Sequence, residues 1–545
     1  MKWFPLLNYT HYSLQYGFSR PKELAKKCKE NSYPACGIAD YKSISGAVSF
    51  YKACVDNDIK PIIGCSFDDF SVFAKNKNGW LELIQIVSSI DEDGSYDPSL
   101  LIQLGKNGNL ICVASKEVSS PINGDDFYAW SESFTKTFYV NKDQAELHRI
   151  LLCSANKTTL PQVKKELASN KCQSIKNWQF FTSDDFYLKA KNEISHVLVN
   201  DARVDDFQEI FDKCENYNIL NQPMLPTFAT PNGESEKDFL KTLAREGWKE
   251  LLNDKIKNVD ERTVYGDRFR REYEVIEKAN LFGYFLIVWD ILNYCRSQGW
   301  MVGPGRGSAA GCLISYLIGI TQIDPIEFDL LFERFYNAGR NTEGHISLPD
   351  IDMDVPGEKR DEIIAYLKDK YTNTNVSQML TFGRLQGRSA IKEVLRVNNA
   401  CGFSEMNEIT RYIPNEADIS DQLAEMDEED RSIIRWSLIN NAKELRDYCY
   451  ISEEGELKGD YAVYFQQAID IEGTFKTQSK HAAGVVISAE PLHKVCPMVN
   501  QKNGSEKIAG LEMSDLEALG HVKFDVLGLN LLDKIMKIKE LINES

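Results

Sequence analysis

Leu348-Pro349-Asp350-Ile351-Asp352-Met353-Asp354 is the stretch on which the reading of this chain turns. Successive side chains of a strand alternate between faces, so Asp350 and Asp352 project to one side while Ile351 faces a core. Two carboxylates crowded on one face are costly when buried unless a cation lies between them. Oxygen ligands of this kind suit Mg²⁺, which keeps several waters and takes its remaining ligands from substrate phosphates. A solvated acidic loop and a calcium site compete with this reading. The EF-hand pattern fails, because no Gly or Glu falls at its later positions.

Upstream stands Gly303-Pro304-Gly305-Arg306-Gly307-Ser308-Ala309-Ala310-Gly311, followed by apolar Cys312-Leu313-Ile314. Small residues let backbone approach an anion, and a helix starting near Ser308 would aim its free N–H groups at a phosphate. Arg306 adds a bidentate charge. A Walker A loop is excluded by the missing lysine, and a dinucleotide fingerprint (Gly305, Gly307, Ala310) lacks its βαβ context. A plain loop capping a buried helix remains open. Downstream, His521-Val522-Lys523-Phe524-Asp525-Val526 reads as a strand with Lys523 and Asp525 on one face. Asp525 can complete a carboxylate trio, or the two can be an exposed pair on an edge strand.

Composition sets the frame for these motifs. A chain of 545 residues, 43% apolar and 11% aromatic, has material for several cores, which excludes general disorder. The longest apolar run falls short of the ~18–20 residues that span a bilayer. Thirteen cysteines occur without a Cys-x-x-Cys pair, against both a zinc ribbon and a disulfide framework. This favours a reducing cytoplasm, and no membrane partner is expected. A net charge of -18 means that any polyanion site is local, since screening over ~8–10 Å lets a basic groove coexist with an acidic exterior.

The first 215 residues alternate strands (35–38, 60–63, 109–114) with amphipathic helices (20–31, 45–57), an α/β pattern. Three prolines mark 221–234 as a linker, and charged helices fill 413–472. The expected division is 1–215, 216–398, 399–478 and 479–545. Arg384, Arg388, Lys392 and Arg396 recur every fourth residue and on a helix form one positive stripe suited to a nucleic-acid backbone, or a solvated face.

Small-residue loop, Asp-x-Asp strand and later strand-borne aspartate follow the order of a polymerase-β-like nucleotidyltransferase palm. That chemistry needs two divalent ions ~3.5–4 Å apart, one activating a 3′-hydroxyl and one gripping a triphosphate. Gly283-Tyr284-Phe285-Leu286-Ile287-Val288, the 302–308 run, Leu331-Phe332-Glu333-Arg334-Phe335, 349–354, Lys480-His481-Ala482-Ala483-Gly484-Val485-Val486-Ile487 and 515–525 closely resemble the C-family replicative DNA polymerases, the bacterial DNA polymerase III alpha family. The resemblance covers essentially the whole chain. It implies a polymerase-and-histidinol-phosphatase (PHP) α/β barrel, then a palm with an inserted helical thumb. By position, Asp350, Asp352 and Asp525 become the metal-binding catalytic aspartates of two Mg²⁺ ions. Arg306, Gly307 and Ser308 hold the triphosphate of a dNTP; the Arg384 stripe and Lys523 face primer-template DNA; Asp354 is secondary.

Two departures qualify the resemblance. Leu7 and Tyr9 stand where the PHP His-x-His pair would be, Asp40-Tyr41 replaces Asp-His, Ser66 and Phe138 replace two further ligands, and His11 is displaced. Such side chains make a poor metal set, so a structural PHP domain without metal or nuclease function is expected. The chain also stops about 20 residues past Asp525, where family members continue into fingers and C-terminal domains. A split enzyme, completed by a second polypeptide that also brings any sliding clamp, is expected, in a bacterial cell or virus-encoded. Its apolar tail (Leu531, Leu532, Ile535, Met536, Ile538, Leu541, Ile542) suits docking. A catalytically silent polymerase-like scaffold is the alternative; a small-molecule nucleotidyltransferase would leave the basic stripe unexplained.

Overall fold

The alternation read in the first 215 residues is realised, in the computed structural model, as parallel and antiparallel strands with helices packed against them. The structure describes residues 3–114, 122, 125–169, 175–201, 203–337, 339, 348–428, 430–501 and 506–544. The chain divides into two compact units, Met1–Asn218 with Phe382–Ser479, and Ile219–Thr381 with Lys480–Ser545.

In the first unit, strands Ala35–Tyr41, Lys60–Ser66, Phe70–Ala74, Leu110–Ala114 and Phe127–Ala129 form one sheet in that order. The pairings are parallel, antiparallel, antiparallel and parallel. A separate parallel pair joins Leu7–Asn8 to Lys136–Thr137. The expected helices appear as Pro21–Glu30, where Pro occupies the first turn without losing a needed N–H, and Ala47–Asp56. Among the described residues the five-stranded sheet is open, and the unit is a mixed α/β fold rather than a demonstrated closed barrel.

The helices between residues 382 and 479 belong to this same unit. Leu147, Ile150 and Leu151 of helix Ala145–Ala155 share a core with Ile391, Val394 and Leu395 of helix Gly387–Asn398 and Phe465 of helix Ala462–Ile471. The sequence reading divides the chain at 398/399; the compact units divide it at 381/382, because this apolar face is buried against the N-terminal helices.

The second unit is built on a six-stranded sheet in the order Met498–Val499, Ile508–Ala509, Val376–Arg384, Phe475–Ile487, Val522–Leu529, Asp352–Pro356. Helix Phe282–Ser297, foreshadowed by the apolar run at 281–289, buries Tyr284, Leu286, Ile287, Val288 and Ile291. They join a core with Met353, Val355, Val485, Phe524 and Val526. The proline-rich linker is irregular and tied down by Asn221 and Met224 N–H groups donating to Ala518 and Gly520 carbonyls. Among the described residues, no helix is long and apolar enough to cross a membrane.

Candidate functional site

Alternation does most of the work at the edge of this sheet. Met353, Val355, Phe524 and Val526 point into the core at 1% exposure or less, so Asp352, Asp354, Lys523 and Asp525 must share the opposite face. The strands Asp352–Pro356 and Val522–Leu529 run parallel, with Asp525 directly opposite Asp352 and Leu527 opposite Asp354. On the other side of the 522–529 strand, Gly484 lies opposite Asp525. Asp350 lies just ahead of the strand, held by Tyr284, whose hydroxyl donates to the Pro349 carbonyl at 2.8 Å.

Asp350, Asp352 and Asp525 thereby offer carboxylate oxygens that all lie within 4.8 Å of one another. Two cations balance them. Arg306 reaches Asp352 at 3.2 Å and Asp354 at 3.1 Å, and Lys523 reaches Asp525 at 2.7 Å and Asp350 at 3.7 Å. Burial raises the Asp352 carboxyl above the ordinary aspartate value; Arg306 opposes this, while Asp350, Asp525 and Asp354 reinforce it. Burial depresses the Lys523 ammonium, but the hydrogen bond and charge of Asp525, then Asp350, more than offset it, so its pKa is raised. The buried Oδ1 of Asp525 has no hydrogen-bond partner. Three convergent carboxylates, one of which carries an unpartnered oxygen, make an oxygen donor set able to hold a divalent cation, and these residues fit Mg²⁺.

The glycine-rich loop abuts this face. Gly303 N–H donates to the Asp354 carbonyl at 2.9 Å, and a side chain at Gly303 would place its Cβ 2.6 Å from that of Asp354. Gly305 adopts φ +91°, which only glycine takes without strain. Arg306, Gly307 and Ser308 are exposed. The helix expected to start near Ser308 is displaced: residues Gly307–Gly311 make a 3₁₀ turn, and a short helix follows at Leu313–Leu317. Gly307 and Gly311, poor helix formers at either end of this segment, favour a tight turn over a sustained helix. An anion here would meet loop N–H groups and Arg306 rather than a helix dipole.

The basic array needs correction. Arg384 ends the strand Val376–Arg384 and lies over the Phe475 ring at 5.1 Å, so the helical stripe begins at Arg388. Arg388 donates to the Ile413 carbonyl, Lys392 to Asn407 Oδ1 at 2.8 Å, and Arg396 pairs with Glu393. These residues belong to the first unit, whereas the aspartates belong to the second. Lys523, expected to face nucleic acid, sits against the aspartates.

The positions where the PHP ligands would stand do gather in the first unit. Tyr9 stacks on Phe138 at 4.5 Å and bonds Ser66. Asp40, fully buried, accepts from Thr10 N–H at 2.6 Å, Thr10 Oγ1 at 2.7 Å and Ser13 Oγ at 2.6 Å. Burial pushes its carboxyl up to about 6 against those bonds. His11 is buried, stacked on Phe475 at 4.1 Å, and lowered to about 3 by desolvation, then by Arg20 and Arg384.

Sequence reasoning missed the role of Asp354 as a partner of Arg306. It also missed Arg360, whose guanidinium donates to the carbonyls of Val526 at 2.9 Å and Ala483 at 3.3 Å and braces the aspartate strand. Asp354 continued the alternation of Asp350 and Asp352, which was a usable signal; Arg360 had none, because its partners are backbone atoms distant in sequence.

A parallel pair of sheet strands presenting carboxylates opposite one another beside a glycine-rich loop defines a protein able to hold a divalent cation next to an anionic group. Residues 238–528 match the family model described as the bacterial DNA polymerase III alpha NTPase domain, and residues 6–188 match the PHP domain. The chain belongs to the bacterial DNA polymerase III alpha family. It is similar to DNA polymerase III subunit alpha of Pseudomonas aeruginosa, 30% identical over 596 residues, covering 98% of this chain and 48% of that protein. The Bacillus subtilis protein of the same name is 31% identical over 583 residues, covering 98% and 49%. That of Aquifex aeolicus is 28% identical over 625 residues, covering 98% and 52%. The chain spans about half the length of the curated relatives it matches.

Proposed function

We propose that this chain is the catalytic portion of a DNA-directed DNA polymerase, transferring dNMP from dNTP to a primer 3′-hydroxyl in DNA replication, in the cytoplasm of a bacterial cell or encoded by a virus. The observation that carries the reading is the placement of Asp525 opposite Asp352, with Asp350 within reach of both. Asp350, Asp352 and Asp525 would hold two Mg²⁺ ions, which when bound lower the pKa of an attacking hydroxyl and stabilise charge on a transferring phosphoryl group. Arg306, steadied by Asp354, and the N–H groups and hydroxyl of Gly307 and Ser308 orient the triphosphate. Lys523 keeps the carboxylates from repelling one another. Exposed Arg384 and Arg388 are the stripe members assigned to the nucleic-acid backbone; half-buried Lys392 and Arg396 are largely occupied within the unit.

In this reading residues 216–398 and 479–545 are a polymerase-β-like palm, the helices of 399–478 are a thumb, and residues 1–215 are a PHP-like barrel of degenerate metal site. The bond-saturated Asp40 supports a structural role there without nuclease activity. Metal analysis and a nuclease assay on the intact chain test this; stoichiometric zinc or manganese with DNA degradation that survives Asp352→Asn would contradict it.

A second polypeptide that docks on the exposed face of the last described helix is proposed as a partner. The terminal helix Asn530–Glu544 supports this. Asp533 anchors it to the Gly357 and Glu358 N–H groups at 3.1 and 3.2 Å, while Leu531, Ile538 and Leu541 remain more than half exposed. Co-purification from the native source with mass analysis of bound polypeptides tests it. Mg²⁺-dependent dNTP binding separates the polymerase from a silent scaffold, which would bind none.

A further inference from the structure

Helix Val259–Lys278 reads as an ordinary charged surface helix, yet Glu272 within it is wholly buried. Its Oε1 pairs with Arg268 Nε at 2.5 Å, one helical turn earlier. The two side chains then reach the far end of the glycine-rich loop. Glu272 accepts the Leu313 N–H at 3.1 Å, the Ile314 N–H at 3.0 Å and the Cys312 thiol at 3.4 Å. Arg268 Nη2 donates to the Gly311 carbonyl at 2.6 Å and the Leu330 carbonyl at 3.0 Å. The near end of the loop is fastened separately, by Gly303 to the Asp354 carbonyl and by the Gln322 N–H donating to Pro304 at 2.7 Å.

We propose that Arg268 and Glu272 are positioning residues for the loop of residues 303–311, fixing the phosphate-facing turn relative to the aspartate strand. The proposal rests on the reading of that loop as a triphosphate cradle. A buried ion pair is a poor source of stability, since well-packed apolar residues of similar volume commonly do as well or better. What apolar residues cannot supply is a rigid fork of donors joined to a two-oxygen acceptor, which together grip both carbonyls and N–H groups of one backbone segment. Glu272 also consumes the first free N–H groups of helix Leu313–Leu317, so the donors left for an anion are those near Arg306, Gly307 and Ser308. The loop is thus clamped at both ends with its middle free, the arrangement that pre-organises a binding turn.

The test uses the intact chain with two probes, Mg·dATP by calorimetry and Mn²⁺ alone by electron paramagnetic resonance. The paired variant Arg268→Met with Glu272→Leu keeps the packing but leaves the Gly311 and Leu330 carbonyls and the Leu313 and Ile314 N–H groups without these partners, so it should melt lower while remaining folded, and should lose Mg·dATP affinity tenfold or more with Mn²⁺ affinity within twofold. Glu272→Gln, milder in its demand on folding, should show the same split at severalfold. Native Mg·dATP affinity in either variant overturns the proposal, as does a parallel loss of Mn²⁺ binding. Native protein that binds Mn²⁺ but no Mg·dATP overturns the cradle reading itself, and the positioning role with it.

Discussion

Asp40 of the first unit and Asp525 of the second are both buried aspartates on sheet strands, and their oxygens are used in opposite ways. Around Asp40 the fold supplies one backbone N–H and two hydroxyls, all within 2.7 Å, and among the described residues Asp40 joins no group of three metal-ligating side chains. Around Asp525 it supplies Asp350 and Asp352, a single lysine contact, and an Oδ1 with no partner. A carboxylate saturated by neutral donors has little to offer a cation, whereas carboxylates facing one another require one. Residue type alone does not make a metal site; unspent lone pairs brought to one point do.

The sharpest way to break this contrast is Asp352→Asn. In the complete assembly, primer extension should fall by about 10³-fold or more, since metal-assisted charge stabilisation is worth several kcal/mol, with the circular dichroism spectrum unchanged. Retained activity would remove the aspartate assignment.

Asp40 sharpens the other side. Its carboxyl lies at about 6 in the fold against an ordinary value of 3.8, so the folded state binds the extra proton between those values. Its contribution is therefore most favourable below pH ~4 and is lost as pH rises through 6, by up to about 3 kcal/mol. Urea unfolding from pH 4.5 to 7 should show the native protein losing stability relative to Asp40→Asn, with Mn²⁺ binding alike in both; a pH-independent difference would contradict it.

Arg306 bridges the aspartates and the loop. Arg306→Met should weaken Mg·dATP binding about 10–30-fold, the worth of a charge-assisted hydrogen bond, while leaving Mn²⁺ binding undiminished. Equal losses of both would place Arg306 in the metal site instead. The smallest effect is expected in the stripe. Arg388→Gln should lower DNA affinity a few-fold and reduce the salt slope by about one, and Lys392→Gln should change it less than twofold.

Much of this was legible before the coordinates. Alternation around Asp352 and Asp525 correctly assigned their faces, and the strands at Ala35–Tyr41 and Lys60–Ser66 were anticipated at their starts. The register between Asp352 and Asp525 was not readable from spacing, because parallel pairing of strands some 170 residues apart is decided by the common core beneath them. The stripe failed at Arg384 for a local reason: a four-residue period presumes a helix, and the chain is still extended there, with the Ser389 hydroxyl accepting the Gln386 N–H where the following helix starts. The bonds of Glu272 to the loop left no trace in composition, since backbone N–H groups look alike in every sequence.

The central claim, that Asp350, Asp352 and Asp525 form one cation site, is tested most directly by Mn²⁺ titration of the intact chain, native and Asp525→Asn, followed by electron paramagnetic resonance. Saturable binding by the native protein that is lost in the variant is the expected result; equal binding by both would contradict it.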